Sequence, residues 1–259
     1  DAWKKKTQKK KPKMIIILTS GGGSRSALWT FSVLQHVNER LSGKLMKHTQ
    51  MITGASGGMI GAAYYRSLYL DKLLNKKLNL SDQRYTKNIS KDLLNRLSFT
   101  AYSNDLFFRV QEFKLGPNTY TKDRGYSFEQ NLNDNTEKTL NHDLSYFRNF
   151  ELSGAIPNMI FSPTIINDGR RLLISAQELA FMCSSRGSAG FLNDMHENVD
   201  FQTLFKNNNN INYLSVLRMN ATFPLVLPMV SMPTEPEMHV MDAGIRDNYG
   251  GKVLMSYMF

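Results

Sequence analysis

Met51-Ile52-Thr53-Gly54-Ala55-Ser56-Gly57-Gly58-Met59-Ile60-Gly61-Ala62-Ala63 is the stretch that decides the fold. A short apolar run ends in Gly-Ala-Ser-Gly-Gly and passes straight into small and apolar residues. The pattern reads as a strand over Met51-Ile52-Thr53, a tight turn, and an apolar helix from about Gly57 to Leu70. Small neighbours on both sides of Ser56 permit the strained strand-to-helix turn that lifts a hydroxyl into the open. The helix that follows points free N–H groups and partial positive charge at that hydroxyl. A glycine-rich packing turn is the plain alternative for this motif taken alone.

The same arrangement occurs upstream. Met14-Ile15-Ile16-Ile17-Leu18 is a continuous run typical of a strand buried on both faces. Gly21-Gly22-Gly23-Ser24-Arg25 breaks it, and a helix follows with Ala27, Phe31, Leu34, Asn38 and Leu41 on one face, ended by Gly43. Downstream, Ala155–Ile166 and Leu172–Ser175 read as strands joined by the turn signal Asp168-Gly169. Ile211–Ala221 reads as a helix, and Met238–Met241 as a strand that delivers Asp242 to its end. Strands alternating with helices give an α/β class, with a parallel or mixed sheet covered on both faces. Functional loops of such sheets lie at the carboxyl ends of strands. Residues 71–149, polar with scattered aromatics (Phe99, Tyr102, Phe107, Phe108, Phe113), read as a helical insertion or cap. Core burial is the favoured reading of those aromatics over contact with a membrane interface.

Composition sets the bounds. Hydrophobic residues are 41% and charged residues 21% of the 259, which is ordinary for a globular chain and excludes wholesale disorder. The single cysteine, Cys183, excludes an internal disulfide. The apolar run at the start is too short to cross a bilayer or to form a signal-peptide core. Both ends, Asp1-Ala2-Trp3 and the apolar 254–259, read as cut from a longer chain. Net charge is +10, and much of the excess sits in Lys4, Lys5, Lys6, Lys9, Lys10, Lys11 and Lys13. Such a tail is a solvated arm or a contact for anionic lipid. Nucleic acid comes last, because no zinc spacing, ribonucleoprotein signature or heptad pattern accompanies it. Asn207–Asn210 reads as a polar loop.

Three glycines in a row at 21–23 expose consecutive N–H groups, which suits an oxyanion hole. A phosphate loop is the competing reading, and both nucleotide fingerprints fail: Ser26 stands where a dinucleotide loop wants glycine, and no Gly-Lys-Ser/Thr follows. Arg25 faces an anionic group or forms a surface ion pair. A serine nucleophile needs a base within hydrogen-bond reach. Five histidines are present (His36, His48, His142, His196 and His239), but none follows Asp242, so the Ser–acid–His order of α/β-hydrolases is strained here.

Gly-Gly-Gly-Ser-Arg at 21–25, Gly-Ala-Ser-Gly-Gly at 54–58 and Asp-Ala-Gly at 242–244 together resemble the patatin-like phospholipases. Arg25 after the glycines is similar to the arrangement in their cytosolic phospholipase A relatives. Pro157–Phe161 leading to Asn167–Arg171, Arg218–Pro224, and Asp242–Gly250 agree with bacterial patatin-like sequences. The resemblance runs from about Met14 to Gly250. It implies a three-layer fold with a central, mostly parallel sheet flanked by helices, residues 14–259 forming the hydrolase domain behind a basic tail at 1–13. It also implies a Ser56–Asp242 dyad without histidine, an oxyanion hole from the Gly22, Gly23 and Gly57 amides, and Arg25 near a substrate phosphate. No metal or cofactor is implied. The implied substrate is a membrane phospholipid or other acyl lipid, with peripheral membrane association, and the chain is expected to belong to a longer protein or an assembly. Ala243, where a second glycine is commoner, is a departure shared with the cytosolic relatives. A thioesterase or general carboxylesterase on the same dyad, and a non-catalytic lipid-binding or assembly module, are the rival readings. Met219, Met229, Met232, Met238 and Met241 read as core packing rather than as an acyl-chain pocket.

Overall fold

A computed structural model of the chain describes residues 2–7, 13–75, 77–103, 112–115, 118–183, 197–206, 211–224 and 226–259. Lys9–Lys11, Phe107, Phe108, His196 and Asn207–Asn210 lie outside the described residues, as does the side chain of Phe113. The first elements are helix α1 (Ala2–Thr7), strand β1 (Ile15–Thr19), helices α2 (Gly23–Arg40) and α3 (Leu45–His48), and strand β2 (Thr49–Gly54). Helices α4 (Ser56–Leu74), α5 (Gln83–Ile89) and α6 (Asn95–Thr100) follow, then the hairpin β3 (Glu112–Leu115) and β4 (Asn118–Thr121), and helices α7 (Arg124–Asn135) and α8 (Arg148–Leu152). Next come β5 (Asn158–Ile160), β6 (Thr164–Ile165), β7 (Arg171–Leu173) and β8 (Asn198–Asp200). The chain finishes with α9 (Phe201–Leu204), α10 (Tyr213–Ala221), β9 (Val230–Met232), β10 (Met238–Met241), α11 (Gly244–Asp247) and α12 (Gly251–Met258).

The α/β architecture rests on a parallel three-stranded sheet in the order β1-β2-β5. A mixed sheet, β8-β7-β6-β10-β9, continues it through the bridge between Phe161 and Ile174, whose backbones exchange hydrogen bonds of 2.9 Å. Helix α4 is buried at every position from Gly57 to Leu70, as a helix packed on all sides must be. It lies against α2, α10 and the parallel sheet. Helix α2 buries Ala27, Phe31, Leu34 and Asn38, one stripe at helical spacing, and leaves Leu41 exposed just past its end. The two helices approach closely because glycine permits it: a Cβ on Gly57 would overlap the Gly23 carbonyl oxygen, and one on Gly61 that of Ala27.

Several expectations need correction. The run at Ile15–Ile17 is only half-buried and Leu18 is 41% exposed, because β1 is the edge strand of its sheet rather than a central one. Ala155–Ile166 is two strands. At the corner between them, Ser162 N–H leaves the ladder and donates to the Asn220 side chain at 3.0 Å. Phe99 and Tyr102 are exposed, at 74% and 69%, not in the core. Residues Ala2–Thr7 of the basic tail form a short helix that packs on α3, with Lys4 and Lys5 exposed.

The corner also explains how an antiparallel strand reaches the site. β6 begins four residues after β5 ends, and β10 runs antiparallel to β6 with Met241 opposite Thr164. The residue after Met241 therefore emerges beside the carboxyl end of the parallel sheet, where β1 and β2 also end.

Candidate active site

Three turns meet at that end of the sheet. The Ala55 N–H donates to the Thr19 carbonyl at 3.1 Å, joining the ends of β1 and β2. Gly21 N–H reaches both the backbone carbonyl (3.2 Å) and the side-chain oxygen (3.1 Å) of Asn248, which ties the glycine loop to the Asp242 turn. Asn220, fully buried on α10, donates to the Gly54 carbonyl at 3.2 Å and accepts from Ser162 N–H. Its own carbonyl accepts from Ala243 N–H at 3.4 Å. One asparagine thus links the serine turn, the β5–β6 corner and the aspartate turn.

Ser56 opens α4 with φ of +52°, a left-handed conformation that costs a non-glycine residue about 1–3 kcal/mol. Strain of this kind marks a strand-to-helix elbow that presents its hydroxyl. Asp242 is only 2% exposed. Its backbone is held from two sides: its N–H donates to Thr222 O at 3.0 Å, and its carbonyl accepts from Thr164 Oγ1 at 3.0 Å. Its Oδ1 accepts the Gly244 N–H at 2.6 Å. Oδ2 is buried and makes no hydrogen bond among the described residues. Burial raises the carboxyl above its ordinary pKa, opposed by the nearby Ser56 hydroxyl and the Gly244 N–H. The hydroxyl is close enough to favour the carboxylate, yet Oδ2 takes no hydrogen bond from it.

A cavity of about 560 Å³ opens over these groups. Gly21, Gly22, Gly23, Arg25, Ser56, Gly57 and Asp242 all line it, so every residue expected from the sequence converges on one space. The rest of the wall is largely apolar, with Ala27 and Ile60 from the two central helices, Leu93 and Leu97 from the α6 region, and Phe128 from α7. A cavity of this size and lining suits an apolar ligand with a few oriented polar groups. Arg25 is exposed at its edge and forms no ion pair among the described residues. None of the described histidines lines the cavity. His142 instead stacks on Tyr146, 4.1 Å between ring centres, and burial lowers its pKa.

The sequence carried no signal for Asn248 and Asn220 as tethers, although both stand inside stretches that agree with the resemblance. Nor did it single out Leu93, Leu97 or Phe128. The five methionines weighed for an acyl pocket do not line this cavity. Met219 and Met232 are buried core residues, whereas Met229 is half exposed.

The chain resembles human GIVD cytosolic phospholipase A2, solved in complex with methyl gamma-linolenyl fluorophosphonate, with a TM-score of 0.42 and 17% identity over 68% of this chain and 25% of that one. It also resembles VipD from Legionella pneumophila, with a TM-score of 0.41 and 13% identity over 92% of this chain and 47% of that one. The chain therefore spans less than half the length of either structure. No curated protein matches it in sequence. The family model described as patatin-like phospholipase matches residues 17–254, nearly the whole chain. The chain belongs to the patatin-like phospholipases, a family of lipid hydrolases.

Proposed function

We propose that this chain hydrolyses carboxylic esters of membrane lipids, as a phospholipase A or lysophospholipase, through a Ser56–Asp242 dyad. The observation that carries the reading is the meeting of a strained serine, a buried carboxyl with raised pKa and a glycine loop in one apolar-walled cavity. Ser56 Oγ attacks the ester carbonyl as Asp242 takes its proton. The amides of Gly22, Gly23 and Gly57 hold the oxyanion, each worth on the order of 10²–10³ in rate. Collapse of that intermediate expels the alcohol, which leaves with the proton from Asp242, and Ser56 keeps the acyl group. Water, deprotonated by Asp242, then attacks the acyl-serine, and the fatty acid is released as Asp242 passes that proton to the departing Ser56 Oγ. Arg25 faces the phosphate of the substrate, and the 71–149 stretch acts as the cap whose Leu93, Leu97 and Phe128 receive the acyl chain.

A purely lipid-binding pocket has no use for Asp242. A buried carboxyl held above its ordinary pKa is a stability cost that a site performing proton transfer retains. The test is covalent labelling. A fluorophosphonate is expected to modify the folded protein stoichiometrically, with the adduct mapped by mass spectrometry to the peptide containing Ser56. An adduct elsewhere, or no adduct on a folded sample, counts against the reading. Phospholipid, monoacyl, thioester and short-chain ester substrates offered to the active protein separate the lipase from a thioesterase.

Asn248 supplies a second check. Its side chain and backbone hold Gly21 in place, so Asn248→Ala is expected to lower kcat about tenfold through a displaced oxyanion loop, an effect of roughly 1.4 kcal/mol, with little change in KM. A purely structural role would instead leave kcat intact and lower only the unfolding midpoint.

A further inference from the structure

The mouth of the cavity is ringed by large apolar side chains that are exposed. Leu94 is 53% exposed, Phe223 60%, Val226 42% and Ile245 47%, and all four also line the cavity. They come from separate stretches: the start of α6, the connection between α10 and β9, and α11. Phe99, 74% exposed, stands further along α6. Soluble chains seldom gather exposed apolar groups of this size around one opening without a partner for them.

The geometry points to a collar that docks on the surface of a phospholipid bilayer, so that lipid passes from the membrane into the cavity without crossing water. This inference rests on the lipid-hydrolase reading and assigns it a binding face. The occupant follows from continuity. The cavity opens through the collar, so a protein bound there would plug the path to Ser56, whereas a bilayer delivers substrate along it. Charge agrees. Arg25 stands exposed at the same edge without an ion pair among the described residues, and Arg124 donates to the carbonyl of Val226 in the collar at 3.4 Å. Asp92, next to Leu93, has both carboxylate oxygens engaged in capping α6, from Leu94 N–H at 3.0 Å and Asn95 N–H at 2.9 Å. Among the described residues no helix is long and apolar enough to cross a membrane, so the contact is a shallow one.

Co-sedimentation with vesicles of phosphatidylcholine, with and without phosphatidylserine, tests the collar. Ser56→Ala is used throughout, so that lipid is not consumed. Binding is expected on both vesicles and tighter with phosphatidylserine. Adding Phe223→Ser or Ile245→Ser is expected to weaken it by on the order of tenfold each. Leu152→Ser serves as the control. This residue is equally exposed, at 57%, but lies beside Thr49 and Gln50 at the opposite end of the sheet, and its change should leave binding as it was. Because the collar residues are solvent-exposed, these variants keep the parent unfolding midpoint. Collar variants that bind like the parent, or a control that loses as much, overturn the assignment. So does a collar variant that splits a dimer, which would give the surface to a second copy of the chain. The two readings fail separately. Fluorophosphonate labelling of wild type without vesicle binding removes the collar and keeps the hydrolase; vesicle binding without labelling does the reverse.

Discussion

Asp242→Asn is expected to lower turnover by on the order of 10⁴-fold while raising the melting temperature. The loss follows from chemistry: the amide keeps the Gly244 N–H contact through its oxygen but cannot accept the serine proton. The gain follows from linkage. Burial holds the folded-state pKa of Asp242 above its unfolded value, so the folded protein is penalised for ionising this group. That penalty is absent below the ordinary carboxylate pKa, grows as pH rises through the interval up to the raised pKa, and is complete above it. Asp242→Asn should therefore be no more stable than wild type in acid and more stable at neutral pH, by about 2–4 °C for each kcal/mol recovered. The same shift fixes the activity profile of wild type. Activity needs the carboxylate, so the acid limb of kcat/KM should lie above the usual range for aspartate. Differential scanning fluorimetry across pH and a pH–rate profile check both halves. A variant that loses stability at neutral pH would show that Asp242 is structural.

The second large effect is on stability alone. Arg66 sits fully buried in α4 and donates Nη1 to Glu151 Oε1, and to the Pro157 carbonyl at 3.1 Å. Its Nη2 donates to the Tyr213 hydroxyl at 3.3 Å, and the guanidinium lies 4.5 Å over the Phe147 ring. Glu151 accepts a further bond from Gln177 at 3.3 Å, and burial raises its pKa against the pull of Arg66. Arg66→Met strands that carboxylate in the interior and is expected to cost about 3–5 kcal/mol in denaturant unfolding. The loss should shrink at low pH, because a carboxyl with raised folded pKa recovers stability once protonated. Arg66→Met with Glu151→Leu should return most of it, since an apolar pair leaves no buried charge without its counter-ion. A double variant as unstable as the single one would show that shape, not charge, governs the position.

What the sequence discloses and what it hides have different physical origins. Turns announce themselves locally: Gly21–Gly23, the serine between small residues at 54–58 and Asp168-Gly169 each constrain their own backbone, so strands, helices and the residues at those turns can be read in place. Burial does not announce itself this way. Ile15–Ile17 looks central because its side chains are apolar, but whether a strand has a neighbour on each side is decided by distant pairing, and β1 has β2 alone. Phe99 and Tyr102 look like core for the same reason. The collar is invisible because Leu94, Phe223, Val226 and Ile245 share no spacing. Arg66 is a single charged letter in an apolar helix, and nothing nearby identifies Glu151 as its partner.

The aspartate turn joins the serine turn through Asn220 and the glycine loop through Asn248, across nearly the full run of the chain. Ribosomes make proteins from the amino end, so Ser56, the nucleophile proposed above, emerges long before Asp242, its proposed base. A nascent chain that has reached only Met241 holds a serine with no proton acceptor, and the asparagine that pins Gly21 has not yet been added. On that proposal the unfinished polypeptide is chemically silent toward surrounding lipid, and activity arrives only when folding has brought the Asp242 turn home.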